Sequence, residues 1–185
     1  CLVNPRACRE TELNYNKVLT SKRIAVVGAG PAGISFSITA AQRGHVISLF
    51  EESNEIGGQL NFAKMIPGKE EFHGLLNYYK NEIKRLKIDL ITDHKVKTTD
   101  LLNFDEIIIA TGVVPRKIDI EGQDKVNFVY DYQEVFNDGV KLGNRIAIIG
   151  AGGIGFDVAE YISSSGISPT LDINKWMEKW GVTDP

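Results

Sequence analysis

The strongest constraint on the fold of this chain is a glycine motif that occurs twice. Residues 24–27 form a short apolar run, rich in β-branched side chains, that leads into Gly28-Ala29-Gly30-Pro31-Ala32-Gly33. Residues 146–149 form a second such run, which leads into Gly150-Ala151-Gly152-Gly153-Ile154-Gly155. Both copies therefore have the buried strand, the G-x-G-x-x-G turn and the following helix that are typical of a dinucleotide-binding unit.

Each glycine of the motif has its own physical role. The first allows a tight turn, the second lets the backbone approach a pyrophosphate, and the third lets the helix pack closely on the strand. The N-terminus of that helix then faces the negative charge of the ligand. One copy would be weak evidence, but two copies predict an enzyme that handles two dinucleotides. A turn that serves only helix packing is the alternative for the second copy.

The composition is that of an ordinary globular protein and argues against several other classes. Of the 185 residues, 43% are hydrophobic and 24% are charged, and the net charge is −3. This balance argues against a nucleic-acid partner, and no apolar run has the length of a membrane span. Two cysteines, Cys1 and Cys8, are too few for a disulfide scaffold, so we expect a cytoplasmic location. Because the chain opens on Cys1 rather than methionine, we interpret it as part of a longer protein.

Apolar periodicity and turn residues predict an α/β fold in four parts. Residues 1–22 form a connecting tail, residues 23–112 a three-layer Rossmann-like domain, residues 113–144 a linker and residues 145–185 the start of a second Rossmann unit. The first domain should have a mainly parallel sheet with strands at 24–27, 46–50, 88–91 and 106–110, the last fully buried. The segment around Val96 should extend the third strand or form a hairpin. One helix is expected over residues 31–43, and two further helices are expected to begin at Lys69 and at Asp172.

Three further features indicate which ligand the first copy binds. Glu51 follows the second strand near the position, about 20 residues after the glycines, where an acid accepts from the ribose hydroxyls. Glu52 is the weaker candidate, since alternation along the strand points it the other way. The pair Gly57-Gly58 permits a close backbone approach to a long ligand, and Ala110-Thr111-Gly112 follow the fourth strand. A solvated acid and an ordinary loop are the alternatives, but the combined layout is typical of two-dinucleotide flavoprotein reductases and favours FAD over NAD.

The second copy is expected to bind a nicotinamide dinucleotide. The residues that distinguish NADH from NADPH would follow the next strand, beyond residue 185. The three histidines, His45, His73 and His94, are not spaced like the ligands of a metal or the members of a catalytic triad. We interpret them as structural or solvated. Trp176 and Trp180 are expected to pack a helix. The candidate ligand-binding residues of the second glycine motif are Gly150, Gly152, Gly153, Ile154 and Gly155.

Four segments also carry a resemblance to a known family. They are CLVNPRAC at residues 1–8, EIGGQ at 55–59, IPGKEEF at 66–72 and GAGGIGFD at 150–157. All four resemble the bacterial NADPH-dependent 2,4-dienoyl-CoA reductases, and the resemblance covers essentially the whole chain. Members of that family have an N-terminal TIM barrel with FMN and the thioester site, then a [4Fe-4S] cluster, and then FAD and NADPH domains.

The resemblance implies a flavin oxidoreductase that passes electrons from NADPH to FAD, through the cluster to FMN, and on to an unsaturated acyl-CoA of fatty acid metabolism. This chain would supply the FAD-binding region and part of the NADPH-binding region. Its partner would be the TIM barrel of the same parent chain, and it would hold no catalytic acid or base. The resemblance assigns the FAD site to Gly28, Gly30, Pro31, Ala32, Gly33, Glu51, Gly58, Gln59, Val96, Ala110, Thr111 and Gly112.

The resemblance also assigns roles to the cysteines. Cys1 matches the last of the four cluster ligands, whereas Cys8 would be a free thiol, with burial as one option. Because a [4Fe-4S] cluster needs four ligands, we expect neither a cluster nor dienoyl-CoA reduction from residues 1–185 alone. Two alternatives stay open: a relative of the trimethylamine and histamine dehydrogenases whose first site holds ADP without redox chemistry, and a non-catalytic adenine-nucleotide module.

Overall fold

The computed structural model describes Asn4, residues 6–137 and residues 140–183. The chain divides into two compact units, the first comprising residues 1–60 and 73–113 and the second residues 61–72 and 114–185. The sequence had placed residues 61–72 in the first domain and residues 113–144 in a linker. The structure instead groups residues 61–72 and 114–144 with the second glycine motif. Every helix in the described part is too short or too polar to cross a bilayer.

A four-stranded parallel sheet forms the centre of the first unit. Its strands are β1 (Arg23–Val27), β2 (Val46–Phe50), β3 (Asp89–Ile91) and β4 (Glu106–Ile109), in the order β3-β2-β1-β4. β1 pairs in parallel with β2 and with β4, which places Val27 beside both Phe50 and Ile109. The expected α/β fold is confirmed. Because the chain moves away from β1 in opposite directions, the carboxyl ends of β1, β2 and β4 form the switch point at which such sheets bind ligands.

The helix after the first glycine motif has the bounds that the sequence predicted. α1 (Pro31–Arg43) begins with a proline, whose fixed φ suits a first turn, and ends at Gly44, whose φ of 102° closes the helix in the left-handed conformation. Between β2 and β3 the chain forms α2 (Leu60–Ala63) and α3 (Glu71–Arg85). α3 was expected from Lys69 and begins two residues later. These helices connect parallel strands, so right-handed crossovers place α1 and α3 on one face of the sheet.

The core of the first unit lies between that face and the two helices. Alternate residues of each strand point to it, as the period of a strand requires. Its fully or nearly buried members are Ile24, Val26, Ile34, Ile38, Ile47, Leu49, Tyr79 and Ile83. On the opposite face, the rings of Phe50 and Phe104 meet edge to face at 6.1 Å.

Two expectations for this unit were wrong. The segment around Val96 is a loop followed by a short 3₁₀ turn at Thr98–Leu101, because its backbone bonds to residues 51 and 53 rather than to a strand. β4 is not fully buried, since Ile107 and Ile109 are 44% and 68% exposed. β4 is an edge strand in this structure, and only the alternate residue Ile108 packs against the core.

The second unit contains helices and loops around a smaller core. Its helices are α4 (Tyr132–Phe136), α5 (Gly153–Ser163) and α6 (Ile173–Trp180). The buried residues of the core are Ile66, Phe136 and Val158, with Phe62 and Tyr161 packed against them. α6 begins after Asp172, whose carboxylate accepts from the N–H groups of Asn174 and Lys175, as an N-cap does.

Residues 146–149 do not form the strand that the sequence predicted. Ile146 and Ile149 are 47% and 66% exposed, and no strand pairs with this segment anywhere in the described part of the chain. A strand obtains its hydrogen bonds from a neighbouring strand. The apolar pattern therefore indicates a strand correctly only when such a neighbour is present.

Candidate functional site

The first glycine turn leaves no room for side chains at two of its three glycines. Gly28 has a φ of +106°, and a Cβ there would overlap the carbonyl of Ala110. A Cβ at Gly33 would overlap the carbonyl oxygen of Gly28. The first glycine thus permits the turn and the contact with the end of β4. The third lets α1 pack on the turn.

Unlike Gly28 and Gly33, Gly30 has open space where a side chain would project. Apart from the two adjacent residues in the chain, no described heavy atom lies within 4 Å of the position that a Cβ would take at Gly30. Gly30 is also the N-cap of α1 without a side-chain cap, and the first turn contains no acidic residue. The N–H groups at the start of a helix have no partner within the helix, and they attract anions. The turn therefore has an open, positively polarised recess of the kind that a pyrophosphate fits.

Glu51 lies at the carboxyl end of β2 and faces this turn. Its Oε2 accepts from the backbone N–H of Ala29 at 2.8 Å, and Ala29 is fully buried. Its Oε1 accepts from the N–H and the hydroxyl of Ser53 at 3.0 and 2.9 Å. A carboxylate has about four acceptor sites, so Glu51 keeps capacity for a ribose hydroxyl while it supports the turn. Glu52, the alternative, is an exposed side chain 3.7 Å from Lys95.

The adjacent glycines pack directly against the first turn. The N–H of Gly57 donates to the carbonyl of Ala29 at 2.8 Å. A Cβ at Gly58 would lie 3.2 Å from the Cα of Gly30, and the φ angles of Gly57 and Gly58 are +122° and +52°. Only glycines adopt this pair of conformations readily. The loop thus lies beside the open face of Gly30, as a loop that covers a long ligand would.

The structure brings the remaining residues assigned to the first site toward the same edge of the sheet. Ala110 follows β4, and its N–H donates to Val27 at 2.8 Å. Val96 is half-buried in the loop after β3, and Gly112 has a φ of +73° with open space around it. Pro31, Ala32, Gln59 and Thr111 are exposed.

A histidine and an aspartate support the loop that carries Val96. The backbone N–H of His94 donates to the carbonyl of Glu51 at 3.0 Å, and its ring Nε2 lies 2.9 Å from Asp100 Oδ2. The N–H of Lys97 and the ring of His94 bond to the carboxylate of Asp100, which lowers the pKa of Asp100 below its ordinary value. His94 therefore connects this loop to the backbone of Glu51.

The second glycine motif forms the same turn as the first. Gly150 has a φ of +112°, close to the +106° of Gly28. Gly152 and Gly30 are both N-caps, with φ and ψ of −89° and −177° in one and −76° and −179° in the other. A Cβ at Gly155 would overlap the carbonyl oxygen of Gly150, which repeats the contact of Gly33.

The surroundings of the two turns differ. Gly152 and Gly153 have open space, and Ile154 is 55% exposed. Apart from its chain neighbours, no described heavy atom lies within 4 Å of a Cβ at Gly150, whereas Gly28 touches Ala110, directly after β4. The second turn therefore has the shape of a pyrophosphate recess but not the neighbouring strand end that closes the first.

Sequence reasoning missed the polar contacts of the loop at residues 66–70. Lys69 Nζ lies 2.6 Å from Asp157 Oδ1 on α5. Glu70 accepts from the N–H of Gly68 at 3.0 Å and from the Thr170 hydroxyl at 2.9 Å. Partial burial alone would raise the pKa of Glu70, but hydrogen bonds from Ser168, the backbone and Thr170 outweigh it and lower this pKa to about 2. The available signal for these contacts was the resemblance of the IPGKEEF run at residues 66–72 to a known family.

Several other expectations fall outside the two turns. Cys1 lies outside the described residues, and Cys8 is exposed, so the option of a buried thiol was wrong. The rings of Trp176 and Trp180 lie 6.3 Å apart at a tilt of 40°, with Trp176 37% and Trp180 66% exposed. Among the described residues, no group of three or more His, Cys, Asp or Glu side chains is placed to hold a metal.

Comparisons with known proteins agree with this geometry. The family model described as pyridine nucleotide-disulphide oxidoreductase matches residues 22–175. A metal reductase of Desulforamulus reducens is 34% identical over 178 residues, which are 93% of this chain and 26% of that protein. The chain thus spans about a quarter of the length of this curated relative.

Two solved structures are also similar. A complex of 2-naphthoyl-CoA reductase with 2-naphthoyl-CoA matches with a TM-score of 0.82 and 29% identity, over 98% of this chain and 30% of that chain. The histamine dehydrogenase from Rhizobium sp. 4-9 matches with a TM-score of 0.52 and 28% identity, over 55% of this chain and 15% of that chain.

Proposed function

The chain belongs to the pyridine nucleotide-disulphide oxidoreductase family, and on this premise we propose that its first glycine turn binds FAD and its second binds NADPH. One observation carries the proposal. Gly28 and Gly33 are closed by backbone contacts, whereas Gly30 between them is open. A turn that served only helix packing would not need an open second glycine at the N-terminus of a helix without acids in its first turn.

The residues of the first unit fit FAD in distinct ways. The recess at Gly30 and the N-terminus of α1 would hold the pyrophosphate, and Glu51 would accept from a ribose hydroxyl. The loop at Gly57-Gly58 would cover the ligand, and the backbone near Val96 would take the adenine. A bound flavin supplies hydride and electron transfer, while the protein supplies binding and orientation.

For the longer protein we propose a reductase that passes electrons from NADPH through FAD, a [4Fe-4S] cluster and FMN to an unsaturated acyl-CoA, in the manner of the 2,4-dienoyl-CoA reductases. The similarity to 2-naphthoyl-CoA reductase supports a thioester substrate. The TIM barrel of the same parent chain would hold the FMN, and the cluster would lie between that barrel and the FAD domain, with Cys1 as the last of its four ligands. This proposal is tested on the full-length protein, which in the absence of oxygen should oxidise NADPH in a dienoyl-CoA-dependent way.

A second candidate is favoured by the similarity to histamine dehydrogenase. In that case the first site would hold ADP and take no part in redox chemistry. The two candidates separate in a simple titration, because the first predicts a yellow protein after FAD is added and unbound reagent is removed. A chain that retains ADP but never FAD would support the second candidate.

The test of the first site is the substitution Gly30→Ala. The added methyl group would occupy the recess without touching protein, so the melting temperature should not change. FAD should bind about 5- to 150-fold more weakly, because overfilling a fitted contact costs about 1–3 kcal/mol. Gly74→Ala in α3 is the matched control, since a Cβ there also meets open space. Equal FAD affinity for wild type and Gly30→Ala would contradict the proposal.

A further inference from the structure

Helix α5 contains one acidic residue close to the second glycine turn, and that residue is paired. Neither α1 nor α5 has an acidic residue in its first turn, as expected of helices whose N-termini face an anion. Asp157 lies one turn further along α5, at the position that Ser35 takes in α1. Its carboxylate is 2.6 Å from the ammonium of Lys69, and the two side chains are only 30% and 40% exposed.

The loop that presents Lys69 is anchored on both sides. The N–H of Lys69 donates to the carbonyl of Ile66 at 2.9 Å, and the side chain of Ile66 is buried in the same cluster as Val158 on α5. On the other side, the carboxylate of Glu70 accepts from Gly68 and Thr170. Lys69 is therefore a lysine held against α5 rather than a side chain free in solvent.

We propose that Lys69 is an electrostatic positioning residue, which neutralises Asp157 so that the N-terminus of α5 can accept the anionic pyrophosphate of a nicotinamide dinucleotide. This inference rests on the proposed function of the second turn. A carboxylate without a partner at this place would reduce the positive potential of the helix N-terminus and would repel the phosphates. Lys69 removes that repulsion and at the same time ties the loop at residues 66–70 to α5.

The charge role and a merely structural role predict different results for Asp157→Asn. Both Lys69→Gln and Asp157→Asn break the same ion pair, so a structural role predicts weaker NADPH binding in each. The charge role predicts opposite effects, because Lys69→Gln exposes a negative charge and Asp157→Asn leaves a positive one. Charges near a helix terminus change affinity by about 2- to 5-fold at low salt.

The experiment measures NADPH affinity of the 185-residue chain by fluorescence titration at low and at high salt. We expect Lys69→Gln to weaken binding by about 2- to 5-fold and Asp157→Asn to tighten it by a similar factor. The double variant should bind like wild type, and both single effects should shrink in high salt. Lys64→Gln is the matched control, because Lys64 lies on the same segment but bonds to Asn61 at 2.8 Å instead of to an acid of α5.

Other outcomes distinguish a failure of the role of Lys69 from a failure of the proposed function. Weaker binding by Asp157→Asn, or an equal loss in Lys64→Gln, would overturn the charge role and leave the proposed function intact. Wild-type chain that binds FAD but shows no NADPH binding up to millimolar concentration would overturn both the role of Lys69 and the proposed function of the second turn.

Discussion

Glu51 contacts the protein on two sides and still has an acceptor site to offer, which makes it the most informative single residue to change. In Glu51→Ala, the fully buried N–H of Ala29 loses its partner, so stability should fall by about 1–3 kcal/mol. FAD should bind about 10- to 150-fold more weakly, the equivalent of one hydrogen bond to a charged group. Calorimetry with FAD and thermal melts measure the two effects.

The neighbouring Glu52→Ala is the control for this prediction. Glu52 is exposed and lies 3.7 Å from Lys95, and such surface pairs contribute about 0–1 kcal/mol. The stability and the FAD affinity of Glu52→Ala should therefore stay close to those of wild type. If FAD affinity falls in Glu52→Ala but not in Glu51→Ala, Glu52 rather than Glu51 makes the ribose contact.

Gly33→Ala separates helix packing from ligand contact at the same turn. Its Cβ would overlap the carbonyl oxygen of Gly28, and backbone atoms cannot move aside easily. We expect a loss of about 1–3 kcal/mol or more, and therefore a melting temperature lower by about 2–4 °C per kcal/mol. Gly30→Ala should melt like wild type. If the two variants had equal melting temperatures, the assigned roles of the second and third glycines would be wrong.

The helices and strands show where sequence patterns suffice and where they do not. α1 has its predicted bounds because a proline, a terminal glycine and the glycine motif all act locally. Residues 146–149 have the same apolar pattern as β1, yet they form no strand, because strand formation depends on a partner that no local pattern can supply. The contact of Lys69 with Asp157 was also out of reach, since it joins residues distant in sequence.

Hydrogen exchange tests this difference between the two apolar runs. The amides of β1 lie between β2 and β4 and should exchange slowly, through global unfolding. The amides of residues 146–149 have no strand partner in the described part of the chain and should exchange near the rate of an open peptide. Equal protection of both runs would show that the second run pairs with a strand after all.

The anchored loop at residues 66–70 makes the second unit sensitive to acid. The pKa of Glu70 is lowered to about 2 from an ordinary value of 4.5. A group with a lowered pKa in the folded state stabilises the fold fully above 4.5, and this contribution disappears as the pH falls from 4.5 toward 2. Tryptophan fluorescence reports on this unit through Trp176 and Trp180. The melting temperature of the second unit should depend less on pH in Glu70→Gln than in wild type. It should keep the pH dependence of wild type in the exposed control Glu71→Gln.

On the scale of the whole molecule, the two glycine turns are alike in backbone geometry but unequal in their surroundings. The first is completed by β4, by Glu51 and by the loop at Gly57-Gly58, all within one unit. The second has its turn and its helix, together with a charge-neutralised acid on α5. A pyridine-nucleotide-dependent flavoenzyme could be predicted from short runs of sequence, whereas this inequality required the positions of residues far apart in the chain.

The inequality predicts an order of affinities for the 185-residue chain. Titration with FAD should saturate and quench the flavin fluorescence, because turn, helix terminus and ribose acid are all in place. NADPH should bind at least about 10-fold more weakly, since the second turn lacks a described counterpart of Glu51, and one hydrogen bond to a charged group contributes about 1.5–3 kcal/mol. Pyrophosphate should compete with both ligands, because the two turns offer it the same backbone recess. NADPH binding more tightly than FAD would mean that contacts other than the glycine turns and Glu51 govern affinity, and no saturation by FAD up to millimolar concentration in a folded sample would refute the assignment of the first site.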